Sequence, residues 1–332
     1  MSNKNKSIIK NLILILIPIF IAIFSLCFGR MMISPHQIIN SIFNYDLADK
    51  TSRLIIVNIR IPRIILALLC GAGLSIAGLS FQALFSNPLA TPDTIGVASG
   101  ASFGAVLAIL MSANLITIQL VSVLMGLVAV GITWINSKSK NLNLSYLVLS
   151  GIMVGSVFNA LVSLIKFVAD PDSKLPAITY WLMGGLGNSD YKSLMIGGPI
   201  IIISIFIIYL LRFRLNLLAL SEDELMSQGV DVKKLRLAII IFSTIMTASV
   251  ISMCGQVGWV GLIVPHLCKM RFGNDHVKLV PIVISVGSTF MVIVDTIARS
   301  ATATELPISI LTAIIGAPFF IYLLRIMKRK QI

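Results

Sequence analysis

The sequence predicts an all-α polytopic membrane protein, and three observations carry that reading. Apolar residues make up 57% of the 332, charged residues only 12%, and the mean hydropathy is +0.98. A soluble chain of this length needs far more charge to cover its surface. Apolar runs of about 20 residues, the length of helix that crosses a hydrocarbon core, recur from one end of the chain to the other. Lys and Arg fall in short clusters between those runs and at both termini, where topology rules and anionic headgroups account for the net charge of +13 without nucleic acid.

The first run, over 9–29, follows Lys4, Lys6 and Lys10. It is too long for the apolar core of a signal peptide and lacks a small-residue cleavage pattern, so it reads as a retained span. Ser34-Pro35-His36-Gln37 is a capping box with proline at the first helical position and predicts a short external helix over 35–43. Spans follow over 62–85, 94–112, 115–136, 144–168, 191–211, 236–254, 279–298 and 306–327. Thr91-Pro92-Asp93 is expected to cap the 94–112 span, with a carboxylate at the positive end of the helix dipole. Near 257–269, Gly255, Gly258 and Gly261 precede Val264-Pro265-His266, which predicts a short or broken tenth segment sheltered by its neighbours. Gly96, Gly100 and Gly104, and again Gly151 and Gly155, have the four-residue spacing that lets helix backbones approach closely. Gly100-Ala-Ser-Phe103 and Gly316-Ala-Pro-Phe319, each eight or nine residues beyond a proline, form a short internal echo of the duplication common in transporters.

Ten crossings place both termini on one side, and the bias of Lys and Arg puts that side in the cytoplasm. Arg30, Lys50, Arg53, Arg60 and Arg63 run against the bias, crowding the first external loop and the start of the second span. Isolated arginines at a helix end snorkel to headgroups. With Arg299 on the same face, a basic rim for an acidic partner is an equal reading. Cys27, Cys70, Cys254 and Cys268 sit in apolar runs without a CxxC pair and read as small packing residues.

Between spans six and seven, Ser221-Glu222-Asp223-Glu224 forms a capping box, Gly229 is a natural stop, and Asp231 can cap the next helix. The result is a short cytoplasmic helix preceded by Leu217, Leu218 and Leu220: a solvated connector, or a lever for a soluble engine. The chain has no phosphate-binding GxxxxGK[ST] loop, so nucleotide hydrolysis must come from another polypeptide. It also lacks the string of intramembrane carboxylates and histidines that ion coupling requires. Asp295 and Arg299 are spaced to neutralise each other, and His36, His266 and His276 have no metal-ligand spacing. No catalytic constellation or cofactor motif is present, and an ion-coupled secondary transporter is the alternative to an ATP-driven one.

Seven motifs then identify a resemblance. They are Arg60-Ile-Pro-Arg63, Gly71-Ala-Gly73, Gln82-Ala-Leu-Phe-Ser-Asn-Pro-Leu-Ala90, Gly96-Val-Ala-Ser-Gly100, Tyr180-Trp-Leu-Met-Gly-Gly185, Gly258-Trp-Val-Gly-Leu-Ile-Val-Pro-His266 and Glu305-Leu-Pro307 with Gly316-Ala-Pro-Phe319. Together they resemble the FecCD family, permease subunits of ATP-binding-cassette importers for iron-siderophore, haem and cobalamin. The resemblance implies a BtuC-like fold of about ten transmembrane helices, one permease domain over 1–332 with a coupling segment at 213–235. It further implies a bacterial cytoplasmic membrane, a second permease copy or paralogue, two cytoplasmic ATPase subunits and an external binding protein. By position, Arg60, Arg63 and Arg299 match the family's binding-protein docking residues. Leu217, Leu218, Leu220, Ser221, Glu222, Glu224, Leu225, Gly229 and Val230 match its ATPase-coupling helices, and Asn87 and Leu89 its cytoplasmic gate. Ser145 falls where the family has its other gate, although the surrounding residues differ. The resemblance implies no resident metal or cofactor. Ferric siderophore is the favoured cargo on family numbers, with haem, cobalamin and oxyanions such as molybdate open.

Overall fold

A computed structural model describes residues 3–43, 49–137, 144–220, 222–302 and 304–329. Helix α1 (Asn3–Ser25) leads into α2 (Pro35–Phe43), the predicted external helix. Its capping box closes in both directions: Ser34 Oγ accepts from the Gln37 backbone N–H at 3.3 Å, and Gln37 Oε1 accepts from the Ser34 N–H at 3.1 Å. Next, α3 (Lys50–Leu54), a π-helical stretch (Ile55–Arg60) and α4 (Ile61–Leu84) run on as one 35-residue rod. The sequence reading started this span at residue 62. Asp49 extends the helix outward by accepting from the Ser52 N–H at 2.9 Å.

Helix α5 (Val97–Leu110) starts differently from expectation. Thr91 makes no side-chain cap; Pro92–Ile95 forms a 3-10 turn, and Gly96 turns left-handed at φ 85° before α5 begins. The chain continues through α6 (Leu115–Asn136), α7 (Leu144–Val168), the outer helix α8 (Lys174–Leu182) and α9 (Tyr191–Leu210). Two short helices, α10 (Arg212–Leu217) and α11 (Glu222–Ser227), precede α12 (Val232–Cys254). The predicted broken segment is α13 (Val260–Phe272), followed by α14 (His276–Ser300) and α15 (Ile308–Arg329).

Six of these elements are long and apolar enough to cross a membrane: the 50–84 rod, α6, α7, α9, α12 and α14. With α1, α5, α13 and α15 they make the ten membrane segments of an all-α polytopic fold. Nearly every residue of α4 is buried, and α4 packs against α14, α12, α13 and α9, so it forms the axis of the bundle. Peripheral helices turn apolar side chains outward, among them Phe20 and Ile152, where lipid tails are as apolar as a protein core.

Glycine sets the closest approaches. A methyl group on Gly78 would overlap the Gly261 carbonyl, and one on Gly71 would overlap that of Gly287, fixing α4 against α13 and α14. On α5, a methyl on Gly100 would meet the Met125 carbonyl of α6 at 2.6 Å, while Gly151 of α7 lies against Thr94 and Ile95. The predicted small-residue faces are therefore packing surfaces. Between α12 and α13 the chain breaks at Gly255 (φ 70°) and Trp259, whose φ of 68° is strained for a bulky residue. The Trp259 indole lies over Gly316 of α15, with Phe320 at 6.4 Å between ring centroids.

Candidate docking and coupling sites

At the end of the bundle that the sequence reading makes external, five charged side chains converge from the 50–84 rod, α14 and the connection to α15. Arg63 Nε donates to Asp295 Oδ1 at 2.8 Å, and its Nη1 donates to both carboxylate oxygens of Glu305 at 2.9 Å. Arg299 Nε lies 3.6 Å from Asp295 Oδ2, and its Nη2 donates to the Ser25 carbonyl at 2.6 Å. Arg60, at the end of the π-helical stretch, donates to the carbonyls of Leu26 and Met31.

The geometry differs from an open basic rim. Arg60, Arg63 and Arg299 are 3%, 4% and 4% exposed, and Asp295 is fully buried. A guanidinium in an apolar bundle is costly unless paired, and here the arginines turn inward to carboxylates and carbonyls instead of reaching headgroups. Asp295 serves Arg63 across the bundle as well as Arg299 on its own helix. The Glu305 side chain, 28% exposed, is the most accessible member. Sequence reasoning did not give Glu305 this role; an acidic residue six positions after Arg299 was the available signal.

At the opposite end, α10 and α11 lie between the spans α9 and α12. Leu215, Leu218 and Leu225 are buried, Leu217 is half-buried, and Leu220 and Glu224 face out. Gly229 adopts φ 72°, and the Val230 N–H closes back on the Leu225 carbonyl at 3.2 Å, the six-residue closure of a glycine helix stop. Asp231 Oδ1 accepts from the Lys234 N–H at 3.1 Å and caps α12. That backbone bond, then the Lys234 side chain, holds the Asp231 carboxyl below the usual carboxylate range. Ser221 lies outside the described residues, and Glu222 is the first residue of α11.

Asn216, which the sequence reading passed over, ties this element to the rest of the bundle. Its Nδ2 donates to Asp275 Oδ1 at 2.9 Å, and its Oδ1 accepts from the His276 N–H at 2.7 Å. α10 is thereby fastened to the first turn of α14.

Of the expected gate residues, Asn87 shapes the turn after α4. Its Oδ1 accepts from the Leu89 N–H at 2.9 Å and its carbonyl from the Ala90 N–H at 3.2 Å, leaving Leu89 exposed. Ser145 sits exposed in the first turn of α7, six residues before the glycine that packs on Thr94 and Ile95.

The chain matches the FecCD transport family over residues 15–326. It is 38% identical, over 95% of both chains, to the molybdate import system permease protein MolB of Haemophilus influenzae. A permease of Helicobacter pylori named for iron chelatin transport is 37% identical over 82% of each chain. A solved structure described as an inward-facing conformation of a metal-chelate type ABC transporter superposes with a TM-score of 0.87 at 38% identity, covering 95% of this chain and 98% of that one. Architecture and sequence thus agree along nearly the whole chain, which belongs to the FecCD transport family and is the multi-pass membrane permease subunit of an ABC importer.

Proposed function

We propose that the protein carries a metal chelate across a cytoplasmic membrane, with ferric siderophore as the favoured cargo, as one half of a permease dimer with both termini in the cytoplasm. The observation that carries this reading is the full-length likeness to a metal-chelate type transporter, joined to the presence of α10 and α11 between two spans. The relative named for iron chelatin supports iron, and the one named for molybdate keeps an oxyanion in view.

Two cytoplasmic ATPase subunits seat the segment from Leu217 to Val230, with Leu220 and Glu224 as its outward-facing contacts. ATP-driven closure of the engines pushes on α10 and α11, and Asn216 passes that movement to α14. An external binding protein docks over the Arg60, Arg63 and Arg299 cluster. Since these guanidinium groups are buried, an acidic side chain of the binding protein reaches Arg63 by taking the place of Glu305. At the cytoplasmic mouth the Asn87–Leu89 turn and the start of α7 at Ser145 open and close the path.

Reconstitution tests the reading. Proteoliposomes holding the permease, its ATPase subunits and the binding protein should accumulate ferric siderophore only with ATP. Accumulation by the permease alone under an ion gradient would replace this reading with a secondary transporter.

A further inference from the structure

A cavity of about 330 Å³ opens between α5, α12, α13 and α15, floored by the turn that precedes α5. Its polar lining comes from Thr91, Asp93, Thr247, Gln256 and Ser309, with the strained Trp259 at the break between α12 and α13. Asp93 alone among the lining residues is charged. The residue is exposed, and among the described residues its carboxylate has no ion pair and no hydrogen bond. Gln256, by contrast, is held by a 2.8 Å bond from its Nε2 to Ser102 Oγ.

The contrast with the outer cluster is informative. There the buried Asp295 carboxylate is matched by two guanidinium groups. Asp93 stands bare in a recess of a membrane protein, on a 3-10 turn whose position is fixed by the packing of Gly151 on Thr94 and Ile95. An ionisable group at such a place is costly unless it faces water or a ligand, and it is retained where it acts on what passes. A carboxylate only accepts hydrogen bonds, and at contact distance it repels an anion.

We propose that this cavity lies on the transport path and that Asp93 is its charge filter, admitting neutral or cationic chelates that present N–H or O–H groups and rejecting small free oxyanions. This rests on the permease reading and narrows its substrate class. Thr91, Thr247 and Ser309 supply hydroxyls that tolerate many outlines, so the discrimination is one of charge.

The test measures binding to the permease–ATPase complex in nanodiscs without binding protein, so that selection upstream does not enter. Three radiolabelled probes are compared: a neutral ferric trishydroxamate, anionic ferric dicitrate, and molybdate. The wild type should bind the trishydroxamate at least tenfold more tightly than either anion. Asp93→Asn, which keeps the shape and removes the charge, should bring that ratio near unity by tightening the anions. Asp93→Glu should retain the preference. An unchanged ratio in Asp93→Asn, wild-type binding of molybdate as tight as that of the chelate, or binding of none of the three would overturn the proposal. Failure of the wild-type complex to couple ATP hydrolysis to uptake in liposomes would sink the permease reading separately, whatever the binding ratio.

Discussion

Arg63 Nε and Asp295 Oδ1 meet at 2.8 Å although 232 residues separate them in the chain. The pair bolts the outer end of α4 to that of α14, and the same guanidinium reaches Glu305 on the connection to α15. Removing one partner of a buried pair strands the other's charge, which is why such a change costs about 3–5 kcal/mol even where the intact pair adds little. Asp295→Asn should therefore lower stability by about that much, seen as a large fall in Tm in detergent. Glu305→Gln, at a partly exposed partner, should cost about 1 kcal/mol or less. Equal losses in the two variants would contradict the burial difference between the carboxylates.

Docking gives a second, opposite-signed expectation for Glu305. If a binding-protein carboxylate replaces it on Arg63, then Glu305→Gln should free the guanidinium and strengthen binding-protein association severalfold by calorimetry. Weaker association would mean that Glu305 itself contacts the partner.

Two glycines should fail for different reasons. Gly229 has φ 72° with nothing within 4 Å of an added methyl, so Gly229→Val pays only in backbone strain, about 1–2 kcal/mol, and leaves the bundle folded. Its effect should be on coupling: ATP hydrolysis persists while transport drops, because the stop that orients α11 against α12 is lost. At Gly78 the backbone is ordinary helix but the Gly261 carbonyl occupies the space, so Gly78→Ala should reduce the yield of folded protein itself. Size-exclusion profiles and ATPase assays of both variants separate the two outcomes.

The knot at the head of α14 carries a pH signature. Asp275 is held below its ordinary carboxylate value first by the Asn216 side-chain bond, with contributions from Lys278 and the Val277 N–H. A carboxyl whose folded-state value is lowered adds stability above the unfolded value, near 3.8, and loses it as pH falls through the folded value. Wild-type Tm should thus fall more steeply than that of Asn216→Ala as pH drops below about 4. Parallel curves would show that the Asn216 bond does not stabilise the ionised form.

Nine of the ten segments were legible because bilayer thickness writes itself into the length of apolar runs, the tenth from the glycines before Pro265, and the helix at Pro35 because a capping box is decided within four residues. Helices α3 and α8 left no such trace: at nine residues or fewer, neither shows the length or the continuous hydrophobicity of a span. The start of α5 was misread because Thr91-Pro92-Asp93 fits a cap, while Gly96, three residues on, takes the left-handed turn that ends the 3-10 segment first. Arg60, Arg63 and Arg299 were recognisable as a group by their side of the membrane. Their direction was not, because it depends on Asp295 and on carbonyls of Ser25, Leu26 and Met31 that only the tertiary fold supplies.

The placement of α4 also bears on how the protein is made. This helix enters the bilayer early in synthesis with two arginines at its head, yet the aspartate that neutralises Arg63 emerges more than two hundred residues later. Until α14 is made, nascent α4 lacks the aspartate that pairs with Arg63 and the Gly287 backbone on which Gly71 packs, although α13 already offers Gly261 to Gly78. Chains truncated before residue 295 therefore keep most of their spans and still lack the carboxylate that ties the head of α4 to α14.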